Sequence, residues 1–296
     1  MSQRQIIFSL FTVLIVAFLL GLAASQHGQQ VAGVPIFLIC VGVAFMVNGL
    51  AFIPAYLLQT EKFYDLIGSG TFLSMVILAV SLSEQVDIRA TLVSLLVSIW
   101  TIRLGGFLYM RIKKAGKDER FDTITPNPLR FLNAWALQAL WAVFTAAPAL
   151  IVITADKRVE ADVFLFVGLL VWVAGFSLEV VADRQKRKFR AAPANQDRFI
   201  QSGLWAHSRH PNYLGEILLW VGITLMALPV FSGWQWVSLL SPVFVWLLLT
   251  RVSGIPMLER KADKKWGGKP DYERYKLHTP VLLPWIQKKK TADTTY

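Results

Sequence analysis

Residues 202–220, SGLWAHSRHPNYLGEILLW, set Arg209, His210, Asn212, Tyr213 and Glu216 against the start of an apolar block. Polar side chains are costly where water gives way to lipid unless something engages them. Pro211 suits the first turn of a helix, and Asn212 and Glu216, four apart, would then share one face. Capping and anchoring at the headgroups account for one or two such residues, not for five. A second stretch, residues 179–190, reads EVVADRQKRKFR and repeats Glu179, Asp183 and Lys186 or Arg187 at helical spacing. Its cations are what a cytoplasmic stop signal needs, but neither acid serves topology, and Glu179 lies inside an apolar block. An anion carrying phosphates would engage Arg187, Arg190, Arg198 and Arg209 together, and a dinucleotide is such an anion. Third, Tyr64 and Asp65 open one apolar block, while Trp100 and Arg103 lie in the next. Asp65 suits either a helix N-cap or a proton donor held at the lipid boundary. Arg103 sits within the apolar run 98–110, so it is expected to face a polar interior and to find an anion there.

Other chemistry has no foothold. The chain carries no GxGxxG after a strand, no Walker loop, no HExxH and no GxSxG, so a bound dinucleotide would be held without a Rossmann fold. His27, His207, His210 and His278 are scattered, and no metal site is expected. Cys40 is the single cysteine, which excludes an intramolecular disulfide and a cysteine-rich metal site.

The elements that must position these residues are membrane helices. Hydrophobic residues make up 55% of the 296, and the mean hydropathy is +0.49, well above what a soluble domain carries. The apolar residues fall in blocks near the length a helix needs to cross the hydrocarbon layer, and a helix satisfies its own backbone hydrogen bonds there. Eight spans are expected, over residues 6–24, 31–57, 66–82, 91–110, 131–153, 161–182, 215–230 and 234–252, giving an all-α polytopic membrane protein. The first is too long for the apolar core of a cleaved signal peptide.

The net charge of +11 does not point to nucleic acid, because the cations cluster in alternate linkers. Linkers after odd-numbered spans carry only Arg89, Lys157 and Arg158. Those after the fourth and sixth spans are rich in lysine and arginine, as is the tail, so eight spans place both termini and both basic linkers in the cytoplasm. No Gly/Ser-rich linker or repeat divides the chain. It reads as a single membrane domain, with N-terminal helices in 1–58, a core in 59–285 and a frayed tail in 286–296.

Taken together, GLWAHSRHPNYLGE, the ExxxD and arginine run before it, and SGIPMLE, DYERY and LLPW after it resemble the steroid 5α-reductase family, most closely its bacterial branch of membrane reductases. The resemblance extends over residues 65–285 and implies a seven-helix core, to which this chain adds one N-terminal helix. It also implies NADPH in a cytoplasm-facing cavity among the later helices and a lipophilic substrate drawn from the bilayer. Matched residue by residue, Asp183, Arg190 and Asn212 fall on cofactor contacts, Glu216 on the acid of the NxxGE motif and Arg103 on an arginine of the same pocket. Arg111, Arg198 and Arg251 are looser matches, and Arg209, His210 and Tyr213 complete the motif. The family's Gln-Glu pair and tyrosine, which hold the substrate carbonyl, fall here on Tyr64, Asp65 and Trp100. Asp65 still supplies an acid, Trp100 offers only an N–H, and Tyr64 or Glu61 is the other candidate donor.

The implied activity is hydride transfer from NADPH to the C=C bond of a lipophilic enone such as a 3-oxo-4-ene steroid, by a monomer in a bacterial inner membrane with lipids as its surroundings. The RHPxYxG run with the later LE and YxxY also resembles membrane methyltransferases that use S-adenosylmethionine on isoprenylcysteine or phospholipids. That is the alternative expectation.

Overall fold

The computed structural model describes residues 2–284, so Trp285 and the tail expected to be frayed lie outside the described residues. The chain is almost entirely helical. Helices α1 (Gln3–Ala24), α2 (Ile36–Leu57), α3 (Tyr64–Leu82), α4 (Ile88–Ala115), α5 (Pro128–Thr154) and α6 (Val163–Ala191) precede α7 (Pro211–Ala227). After it come α8 (Leu240–Leu247), α9 (Gly254–Trp266) and α10 (Pro270–His278). The helix starts carry ordinary caps: Ser2 and Gln5 form a capping box on α1, and Asp87 and Asn127 accept from Ala90 and Arg130 N–H groups at α4 and α5.

Among the described residues, seven helical segments are long and apolar enough to cross a membrane: α1 to α6, and the stretch Gly233–Trp266 that includes α8. The remaining expected span is α7, apolar but only 17 residues long, or about 25 Å at the helical rise. Most helices begin or end some residues away from the expected bounds, α6 running on to Ala191 and α7 starting at Pro211, and two spans differ in kind from the hydropathy reading. Residues 31–35 are not helix: β1 (Gln30–Val31) and β2 (Val34–Pro35) pair antiparallel, and positive φ at both Ala32 and Gly33 makes the tight hairpin turn that matches strand twist. The last span is broken. A 3-10 stretch, Gly233–Leu239, leads into α8, where Pro242 falls in the first turn and displaces no helical hydrogen bond. A π-turn, Leu248–Val252, then ends at Ser253 before α9 begins. α9 carries lysines on an amphipathic helix and is the polar end of that stretch.

The described chain forms two compact units. The first runs from the N-terminus to Leu169 and includes Ile223–Phe244; the second is Leu170–Gly222 with the described chain from Val245 onward. The post of the first unit is α5, which packs against α1, α2, α3 and α4. Its buried Ala139, Ala142, Ala146, Ala147 and Ala149 explain this, since small side chains let neighbouring helices approach closely where lipid supplies no hydrophobic drive. A buried polar chain crosses the same core: Gln138 Nε2 donates to Asn48 Oδ1 (3.0 Å) and to the Tyr64 carbonyl (3.1 Å), and Asn48 donates to Thr71 Oγ1 (2.9 Å).

In the second unit α6 and α7 cross with their backbones touching. A Cβ on Gly175 would lie 2.6 Å from the Leu219 nitrogen, and one on Gly215 would lie 2.6 Å from both the Glu179 nitrogen and the Gly175 oxygen. Glycine at both positions is what permits this approach. It sets Glu179 level with Gly215, and one turn further along α6, Asp183 comes level with the first turn of α7.

Candidate functional site: two polar clusters at helix ends

The second unit gathers most of the residues singled out from the sequence. Glu179 and Asp183 on α6 are 3% and 6% exposed, an unusual burial for acids. The 3-10 turn Gly203–Ala206 is pinned to the same helix: Trp205 Nε1 donates to the Ala182 carbonyl (3.1 Å), Leu204 N–H donates to Gln185 Oε1 (3.0 Å), and the Lys186 ammonium lies 4.3 Å over the Trp205 ring. From there the chain reaches Arg209 and His210, and Pro211 opens α7 as the first-turn proline the sequence predicts.

Arg209 and His210 meet one carboxylate. Glu259 of α9 takes His210 Nε2 on Oε1 at 2.8 Å and Arg209 Nη2 on Oε2 at 3.3 Å. Arg209 is held further by Nη1 on the Lys276 carbonyl (3.2 Å) and by its own N–H on the Pro280 carbonyl (2.9 Å). The His210 ring stacks on Tyr213, one helical turn on, at 5.8 Å and 11°. Burial pushes the His210 imidazole below its ordinary value; the Glu259 hydrogen bond and charge pull the other way, and Lys186 and Arg209 add to the depression. Three polar atoms here are buried without a hydrogen-bond partner: His210 Nδ1, Arg209 Nε and Asn212 Oδ1. Tyr275 donates to the Trp205 carbonyl (2.7 Å), and Lys276 and Tyr272 both bind Asp263, tying α10 to α9. Tyr213 and Glu216 are half-buried on α7, and Arg190, Arg198 and Arg251 are exposed.

The first unit holds the other cluster. Asp65 is the second residue of α3, not its N-cap, which is Phe63. Its carboxylate meets Arg120 Nη2 at 3.4 Å, and Arg120 is gripped more closely by Asp118, at 2.5 Å from Nη2 and 2.8 Å from Nε. Glu61 accepts the Asp118 N–H at 2.8 Å, closing the loop onto the start of α3. Tyr64 donates its hydroxyl to the Ala134 carbonyl (2.8 Å) and packs among Phe121, Phe131 and Trp135. Trp100 is 1% exposed and lies edge-on to Phe72, and Arg103 is half-buried on α4. The side chain of Arg111 lies outside the described ones.

Sequence reading gave no role to Glu259, although the SGIPMLE motif contains it, and none to Arg120 or Asp118. Glu259 lies midway along α9, which carries a second acid in Asp263, so only its place in that motif sets it apart. Nothing local marks the Asp65–Arg120 pair, which joins positions 55 apart. Among the described residues no His, Cys, Asp or Glu side chains form a group that could hold a metal ion.

A nearly all-helical chain with this many apolar spans is a polytopic membrane protein. It belongs to the family described as protein of unknown function DUF1295, whose family model matches residues 51–279. No curated protein and no solved structure matches the chain.

Proposed function

We propose that this protein is a membrane-embedded, NADPH-dependent reductase that saturates the C=C bond of a lipophilic enone, a 3-oxo-4-ene steroid being the leading candidate. The observation that carries the reading is the polar layer of the second unit, where α6, which carries the buried acids Glu179 and Asp183, meets Gly215 of the PNYLGE run of α7 at backbone contact beside Glu179. Topology needs cations at such a place and has no use for buried carboxylates. The residues present fit a nicotinamide cofactor with phosphates. Asn212 Oδ1 is buried without a partner and is matched to an N–H or hydroxyl donor, and Arg190 and Arg198 are exposed cations of the same unit suited to phosphate oxygens. The resemblance to the steroid 5α-reductase family names the same positions.

NADPH, when bound, would supply the hydride. The chain's own residues bind it, keep water away and stabilise the charge that develops on the substrate carbonyl. Asp65 is our candidate for the acid that protonates that oxygen; Tyr64 has its hydroxyl committed to the Ala134 carbonyl. The apolar helices would deliver a substrate that partitions into lipid.

The same reading places the protein in a bacterial inner membrane with both termini cytoplasmic. Support comes from the three cations on the opposite side, which are engaged by backbone carbonyls. Arg89, 1% exposed, donates to the Met226 and Glu160 carbonyls; Arg158 donates to those of Gln85 and Val152; and Lys157 donates to that of Pro229. They tie helix ends and loops together through these carbonyls, and so do not count against the orientation.

The test is turnover. Purified protein with NADPH and a 3-oxo-4-ene steroid should consume the cofactor and yield the saturated ketone, identified by mass spectrometry. A panel of steroid, quinone-like and polyprenyl enones giving no NADPH-dependent product would contradict the proposal.

A further inference from the structure

The Glu259 carboxylate joins α9 to Arg209 and His210, the residues just ahead of α7, and it fixes more than position. A carboxylate only accepts, so the 2.8 Å contact from Oε1 requires a proton on His210 Nε2. The other ring nitrogen, Nδ1, is buried without a partner, so a second proton there would be an unsatisfied donor. Ring orientation is set independently, by the stack on Tyr213. Oε2 meanwhile binds Arg209, whose remaining contacts are backbone carbonyls.

We infer that Glu259 is a positioning residue: it holds His210 as the neutral Nε2–H tautomer and anchors Arg209, and through them it sets the first turn of α7, where Asn212 lies. Arg209 and His210 thereby act on a bound ligand through the geometry of that turn, not as a net positive charge. The link to ligand rests on the reductase reading; the tautomer does not. Burial of the ring, which depresses its affinity for a proton, agrees with a neutral imidazole.

Long-range proton–nitrogen spectra of the full-length protein, labelled at its histidines in detergent, read the tautomer directly, with H210Q identifying the signals. The expected result is a neutral His210 protonated on Nε2 at neutral pH, becoming a tautomer mixture in E259A. A cationic ring, an Nδ1–H tautomer, or an E259A spectrum unchanged from wild type would overturn the inference. NADPH titration of the same samples adds a second readout. Loss of one charge-assisted hydrogen bond network predicts about tenfold weaker binding in E259A, with E259D recovering part of it. Unchanged affinity in an E259A whose tautomer has shifted would overturn the positioning role. Should wild type bind no NADPH while His210 shows the expected tautomer, the cofactor reading fails and the tautomer assignment stands.

Discussion

Asp65 is where the proposed chemistry is most exposed to test. Replacing it by asparagine keeps the shape and removes the acid, so Asp65→Asn should lower turnover by about 100-fold or more and leave NADPH affinity unchanged; wild-type turnover in that variant would remove Asp65 from the mechanism. The Arg120 pair gives this residue a structural side as well, and the grip of Asp118 on Arg120 should hold the loop in the variant. His210 gives a prediction for pH. Its folded affinity for a proton is depressed from the ordinary 6.5, so the unfolded chain takes up a proton that the folded chain refuses, and the group's contribution is complete above 6.5 and lost as pH falls from there through the folded value. Asp162, lowered from 3.8, acts only in a more acidic window. Melting temperatures in detergent between about pH 7.5 and 5 should therefore drop further for wild type than for His210→Gln; equal drops would contradict the burial of a neutral ring. At this scale the sequence made the cluster legible through residue types that no cap or topology signal needs. It did not show the partners, because Glu259 lies 49 positions from His210 and a carboxylate on an amphipathic helix looks like any solvated acid.

At the scale of elements, two features fix the helix geometry under the site. Gly175 and Gly215 allow the α6 and α7 backbones to touch, and Gly215→Ala would force a methyl group to within 2.6 Å of backbone atoms. An overpacked contact of this kind costs roughly 1–3 kcal/mol, so a lowered melting temperature and weakened NADPH binding are expected together. An unchanged melting temperature would mean that the helices do not meet there. At the other end of the helices, Arg89 is a buried clamp on two carbonyls and Asp162. Arg89→Met should destabilise by roughly 2 kcal/mol or more, because the buried carbonyls lose their donor; thermal denaturation in detergent measures it. The membrane-crossing helices were legible from apolar length alone, whereas the polar α9 and α10 were not. The start of α2 was not, since Val31 and Val34 continue the apolar pattern while Ala32 and Gly33 turn the chain. The break in the last span was also hidden: Pro242 is a first-turn residue, and the π-turn, LLTRV, contains neither Gly nor Pro to mark it.

For the whole molecule, the alternation of basic and cation-poor linkers is the basis of the proposed orientation, and the backbone carbonyls bound by Arg89, Lys157 and Arg158 give those three cations a structural use. What hydropathy could not give is the division into two compact units, because each unit is assembled from segments distant in sequence. The orientation can be checked with single cysteines in a Cys40→Ala background. Lys117→Cys and Lys269→Cys should be protected from an impermeant maleimide in intact spheroplasts, and Gln85→Cys and Glu160→Cys should react; the reverse pattern would invert the topology. The central claim is that the polar layer of α6 and α7 serves a nicotinamide cofactor, and the most direct measurement is NADPH fluorescence titrated with detergent-purified protein, with S-adenosylmethionine as competitor. Saturable binding that the competitor leaves intact is the predicted result. No NADPH binding by folded protein, or displacement of NADPH by S-adenosylmethionine, would contradict it.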